Sequence, residues 1–452
     1  SSMAALKTQL PWPVAAGRAT GGNGRPTNAR YAAGSGTARR STGGAGLHEA
    51  LHTALQAACG SQVVVLPAIA GICARAWCSK SRDVHRCRRP RRVSRRVLQP
   101  FAIEPINPHM AEMKETVRRL STPSFPRRGL LDTSEEPTVT DARLQEAFPD
   151  GGNADRETWR ELIYATEGLG EFCSGVILHP EALLQETSGR DRFTDLLQQA
   201  GIVVGVRADN GTVPLNGFGE KGTAGLVGLE ERCRDFRRCG ARLALWRSEV
   251  QCTMELPTDV AVWEIATCLA QAAQACQKQG LAVAIELNML GDLGSHSIER
   301  TAYVCEKVYS HAVRLLNEHD VSLEAVSLVS SICRPGKDAA PARPEDIAVY
   351  TARALRRTVP PALGSVHLLP GSLTPQEAAR HFRDVQEATH REPWCVTPVY
   401  GSTLLNAPLN EWASTGDMDS AREVLLRVLE AIAETQFISS SAAPSSESID
   451  EP

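Results

Sequence analysis

Lysine is scarce in this chain. Seven of its 49 basic residues are Lys (Lys7, Lys80, Lys114, Lys221, Lys278, Lys307 and Lys337), and the rest are Arg. The shortage limits imine chemistry, because a guanidinium stays protonated and cannot attack a carbonyl. Aromatic residues make up only 5%, which suits an α/β protein better than an interface-rich sandwich. The thirteen cysteines include no paired C-x2-C knuckles. Cys73, Cys78 and Cys87 therefore do not read as a zinc site, and the later cysteines, spaced singly, read as buried thiols of a reducing compartment. The longest apolar stretch, residues 54–77, is broken by Gly60, Gln62, Pro67 and Gly71, so it gives no firm membrane span.

The formal net charge of -3 hides a division: residues 1–105 hold 14 Arg and 2 Lys against Glu49, Asp83 and Glu104. An Arg-rich, Ser-rich, acid-poor start cannot bury a core, and it predicts a disordered basic extension with the composition of a plastid or mitochondrial transit peptide. If it is no transit peptide, the cytoplasm is the expected location. The block "HRCRRPRRVSRR" (85–96) has no interleaved aromatics on which bases could stack, so no nucleic-acid partner is expected.

From about residue 106 the pattern turns regular. Strand patterns at 129–131, 174–179, 201–209, 242–248, 281–290, 322–332, 364–371 and 394–401 alternate with helical ones near 109–120, 188–200, 228–238, 257–279, 298–318, 344–357, 375–388 and 420–436. Eight strands alternating with helices predict a (β/α)8 TIM barrel over 106–436, with the chemistry at the carboxyl ends of the strands. Residues 437–452 read as a flexible tail.

Several blocks, "SGVILHPEALLQ", "GIVVGVRADNGTVPL", "GLVGLEERCRDFRRCGARLALWR", "ALRRTVPPALGSVHLLPGS" and "VYGSTLLNAPLNEW", occur in order between residues 109 and 436. Together they resemble class I fructose-1,6-bisphosphate aldolases. The resemblance implies a lyase of glycolysis, commonly a homo-oligomer, that needs no cofactor and works through a lysine Schiff base. Aligned on "SLEAVSLVSSICRPG" (322–336), the family's lysine falls on Val329, which has no nucleophile. Other family positions change with it. The aspartate of the first strand becomes Ser134, with Asp132 and Glu135 close by, and the lysine before tryptophan-arginine becomes Leu245. The lysine of the third strand becomes Arg207, and the second glutamate of glutamate-proline-glutamate becomes Asn288. Asp209, Arg247 and Glu286 are retained.

The family's phosphate loops read Pro370–Gly371–Ser372 and Tyr400–Gly401–Ser402. Pro370 removes a backbone N–H donor, and Ser402 removes a guanidinium. The resemblance thus implies a ligand set of Arg207, Arg247, Gly371, Ser372, Gly401 and Ser402 for a phosphosugar or other anion. The same arginines read equally as charge pairs in the barrel mouth. Lys221 and Lys337 are the candidate substitutes for the missing nucleophile, and His179, His296 and His367 are the least set a metal would need; their spacing supports no metal. The expectation is a catalytically inactive scaffold or interaction protein, its protein partner unreadable from the chain. An active or repurposed aldolase is the alternative.

Overall fold

The computed structural model describes residues 107–121, 128–149, 155–290 and 294–436. The basic extension, the cluster Cys73–Cys78–Cys87, the apolar stretch 54–77 and the tail lie outside them. Eight strands form a closed barrel: β1 (Gly129–Thr133), β2 (Cys173–Leu178), β3 (Val203–Arg207), β4 (Leu243–Gln251), β5 (Ala282–Leu290), β6 (Val326–Ser331), β7 (Ser365–Leu369) and β8 (Val396–Tyr400). Each pairs in parallel with its sequence neighbours, and β8 closes on β1. Four of these eight strands are buried along their whole length, as expected where helices cover one face and the barrel interior the other.

The predicted strands are all present, with several boundaries corrected. The sixth begins at Val326, because Leu323–Ala325 make a 3₁₀ turn. Its Glu324 faces Lys114 at 3.5 Å on the amino-terminal side of the barrel. The first extends past Leu131 through Asp132 and Thr133, and β4 runs on to Gln251. Helices Pro137–Ala147, Arg156–Tyr164 and Ser402–Thr415 were not expected. The first opens on a proline, which is compatible with the first helical turn, and the last contains Pro408. An antiparallel hairpin, Thr212–Pro214 with Lys221–Thr223, leaves the end of β3.

The helix Met110–Ser121 plugs the amino-terminal end. Met113, Val117 and Leu120 recur at helical spacing and are buried against Leu130, Ile177, Val203 and Leu243 of the barrel interior. The approach is close enough that a Cβ at Gly364 would meet Val117 at 2.4 Å. No helix among the described residues is long and apolar enough to cross a membrane.

Candidate active site

Alternation along the strands decides which side chains enter the barrel. Parallel register aligns Arg247 of β4 with Glu286 of β5, Glu286 with Val329 of β6, Val329 with His367 of β7, and His367 with Thr397 of β8. These five side chains therefore share one face, and one neighbouring position down, Leu245 aligns with Arg207 and Ala284.

Val329 and Leu245 are each 1% exposed and belong to the same apolar interior cluster as the plug helix. At both positions the interior is filled by packing. Around this apolar floor the charged groups bond to one another. Arg247 Nε donates to Glu286 Oε1 at 2.8 Å, and its Nη2 donates to Asp132 Oδ2 at 2.5 Å. Ser134 donates to Asp132 from both its backbone N–H (2.9 Å) and its hydroxyl (2.6 Å). Arg207 Nε donates to Asp209 Oδ1 at 2.9 Å, and its guanidinium pairs with Glu136 at 2.9 Å. Asp209 also accepts from the backbone N–H of Gly211 and, at 3.3 Å, of Arg247.

Electrostatics follow from this geometry. Burial raises the Glu286 carboxyl above the usual glutamate range, and the facing Arg247 only partly offsets it. At Arg247, burial works against the charge, but Glu286 and Asp132 more than restore it, so the guanidinium is held firmly charged. Asp132, Asp209, Glu286, Glu135 and Glu136 set five carboxylates against the guanidiniums of Arg207, Arg247 and Arg143. Within this cluster the carboxylates outnumber the guanidiniums, so the cluster itself carries no surplus of positive charge.

The loop at Ser402 joins this cluster through Arg143. Gly401 precedes the first turn of the helix Ser402–Thr415. Arg143, which pairs with Glu135 at 2.7 Å, donates to the Ser402 carbonyl at 3.2 Å and to Asn406 Oδ1 at 2.8 Å. Gly371 follows β7 in a left-handed conformation (φ 61°) that favours glycine. Beside it, Arg334 Nη2 donates to the Ser372 hydroxyl at 3.2 Å.

The candidate lysines are placed elsewhere. Lys221 lies in the hairpin, half exposed, with its ammonium 3.0 Å from Glu249. Lys337 is exposed in the loop after β6. The three histidines do not converge as a ligand set. His179 accepts at Nδ1 from the Glu181 N–H (3.3 Å), His296 is buried in the loop after β5, and His367 is enclosed in the interior. Among the described residues no group of three His, Cys, Asp or Glu side chains is arranged to hold a metal ion.

His367 forms a chain of polar side chains across three strands. Its Nδ1 lies 2.6 Å from Thr397 Oγ1 and its Nε2 3.0 Å from Ser365 Oγ, which in turn meets Ser327 Oγ at 2.7 Å. Burial lowers its pKa to about 4, so the ring is neutral. Sequence reasoning weighed His367 only as a metal ligand and overlooked Glu136 and Arg143. Period-two alternation from Leu130 was the signal for Asp132, but Glu136 and Arg143 stand on a loop and an unpredicted helix.

The family model for class-I fructose-bisphosphate aldolase, named Glycolytic, matches residues 112–448. The cytosolic fructose-bisphosphate aldolase 4 of Arabidopsis thaliana is 35% identical over 304 residues, covering 67% of this chain and 77% of the relative. The fructose-bisphosphate aldolase of Dictyostelium discoideum is 34% identical over 307 residues, covering 67% and 85%. Among solved structures, the fructose-bisphosphate aldolase of Plasmodium falciparum, in a ternary complex with TRAP and a small-molecule inhibitor, superposes with a TM-score of 0.68. It is 34% identical and covers 72% of this chain and 94% of its own. With a parallel eight-stranded barrel, ordered motif blocks and a match through nearly the whole barrel, this chain belongs to the class-I fructose-bisphosphate aldolase family.

Proposed function

We propose that this family member has lost imine-dependent aldol cleavage and serves as a scaffold or interaction protein. The carrying observation is the apolar packing at Val329, the position that aligns with the family's Schiff-base lysine. A covalent mechanism cannot proceed without its nucleophile, whereas loss of a supporting group lowers a rate by a finite factor. The pairing of Arg207 and Arg247 with carboxylates supports the same reading, since an anionic ligand would have to displace those partners. The relative from Plasmodium falciparum was solved in complex with TRAP and a small-molecule inhibitor, which lends a binding role a precedent. The alternative, an active or repurposed aldolase, draws its support from the retained Glu286, Asp209 and Arg247.

Borohydride trapping separates the two. The purified protein is incubated with dihydroxyacetone phosphate, reduced, and mapped by mass. No lysine adduct and no fructose-bisphosphate cleavage are expected. An adduct at Lys221 or Lys337 would overturn the inactive reading. Val329→Lys is expected to stay adduct-free as well and to lose about 2–4 kcal/mol of stability, because it buries an ammonium beside a glutamate already committed to Arg247.

For location, the Arg-rich and acid-poor start supports delivery to a plastid or mitochondrion. The relative from Arabidopsis thaliana is named cytosolic, which supports the cytoplasm. The amino terminus of the protein isolated from its organism distinguishes them. Cleavage predicts a start after residue 50, and an earlier start defeats organelle import by a cleaved signal.

A further inference from the structure

The cysteines spaced singly in the sequence do not all remain single in the fold. Two pairs meet: Cys233 and Cys276 with sulfurs 3.4 Å apart, and Cys305 and Cys333 at 3.8 Å. All four are free and buried. The first pair bridges the helices Leu229–Arg238 and Asp259–Lys278.

Two further features single it out. A groove of about 680 Å³ opens between the same helices, lined by Leu229, Arg234, Gln271 and Ala275 among others. Cys233 follows Leu229 by one helical turn and Cys276 follows Ala275; both cysteines are fully buried and neither is part of the groove's lining. The second feature is Arg232. Its guanidinium is held by the carbonyls of Val227 (2.8 Å), Ala208 (3.1 Å) and Gly225, while its buried Nε has no hydrogen-bond partner. Its charge acts on the Cys276 sulfur and is felt by Cys233 as well.

We propose that Cys233 and Cys276 are a redox-responsive dithiol, closed to a disulfide by a small peroxide that enters between the two helices. The contact with Cys233, together with burial, holds the Cys276 thiol well above its usual pKa. Either sulfur can donate its S–H across this contact, and Cys233, one turn from the groove-lining Leu229, attacks first. The Cys233 thiol sulfur attacks one peroxide oxygen, and an S–O bond forms as the O–O bond breaks. The departing hydroxide takes up the Cys233 proton and leaves as water. The Cys276 sulfur then displaces the hydroxyl from the sulfenic acid. An S–S bond forms, the S–O bond breaks, and the hydroxide leaves as a second water with the Cys276 proton. Two thiols are oxidised by two electrons and one hydrogen peroxide is reduced to two waters.

The full chain is treated with hydrogen peroxide, quenched with an alkylating reagent under denaturing conditions, and peptide-mapped. A cross-link between Cys233 and Cys276 that dithiothreitol reverses is expected, with Cys305 and Cys333 still alkylatable. The oxidised protein is also expected to unfold at a higher temperature than the reduced one. Free thiols at both positions overturn the proposal. So does over-oxidation at Cys233 without a link, or equal linkage at Cys305 and Cys333, whose sulfurs lie farther apart. Cys276→Ala should leave Cys233 as a sulfenic acid that dimedone labels. The mapping of the natural chain decides the question whether or not that variant folds.

Discussion

Glu286 shows how a single residue's surroundings become measurable. Unfolded, its carboxyl titrates near 4.5; folded, burial places that titration higher. Between the two values the folded chain holds a proton that the unfolded chain has released. The group's favourable contribution is therefore complete below 4.5 and is lost as pH rises through the folded value. Glu286→Gln has no proton to lose. In urea denaturation, the natural chain should lose ground relative to Glu286→Gln as pH climbs through that window. A gap that stays constant or widens in favour of the natural chain would contradict the burial of an ionisable group there. Much at this scale was legible in advance. Val329 and Leu245 stood out because motif alignment compares residue types position by position. The partners of Arg207 and Arg247 were not legible, because Asp132 and Glu136 come from one stretch and Glu286 from another, far along the chain, that only ring closure brings together.

Elements differ in how their ends are held. The helix Pro375–Thr389 starts with a capping box: Thr374 Oγ1 accepts from the Glu377 N–H at 3.3 Å, and Glu377 accepts in return from the Thr374 N–H at 3.0 Å. The helix Asp259–Lys278 starts at Thr258, whose hydroxyl accepts from Ala261 N–H (3.2 Å) and also donates to Glu220 at 2.6 Å. Glu220 sits on the hairpin and is 2% exposed. Thr374→Ala should cost about 1 kcal/mol, the loss of a cap. Thr258→Ala should cost about 2–3 kcal/mol, because it also removes a donor from a buried carboxylate. Equal losses in chemical denaturation would mean that Glu220 finds another donor. The sequence marked most helices by their apolar period. It missed Pro137–Ala147, whose buried residues number only Thr140 and Leu144 and leave no stripe to detect, and the hairpin, whose strands are three residues each.

The molecule as a whole was the most readable level. Eight buried strands separated by helices leave few architectures, and right-handed parallel crossovers lead to a closed barrel. What that reasoning could not supply is how the interior is filled. The plug helix, predicted as one amphipathic segment among many, joins the strands' inward residues in one apolar cluster that reaches Val329. Interior packing depends on which side chains meet, and periodicity alone does not carry that information.

The chain Ser327–Ser365–His367–Thr397 has a consequence for how this protein can change over generations. Each member is buried and satisfied through its neighbours. Exchanging one strands the polar atoms of those beside it. The four therefore behave as a single heritable character, kept or replaced as a set. His367 sits level with Val329, so a lineage placing a lysine there on β6 would have to rewrite its neighbours in the same stroke. A single codon could undo the valine, but it would not undo the wiring around it.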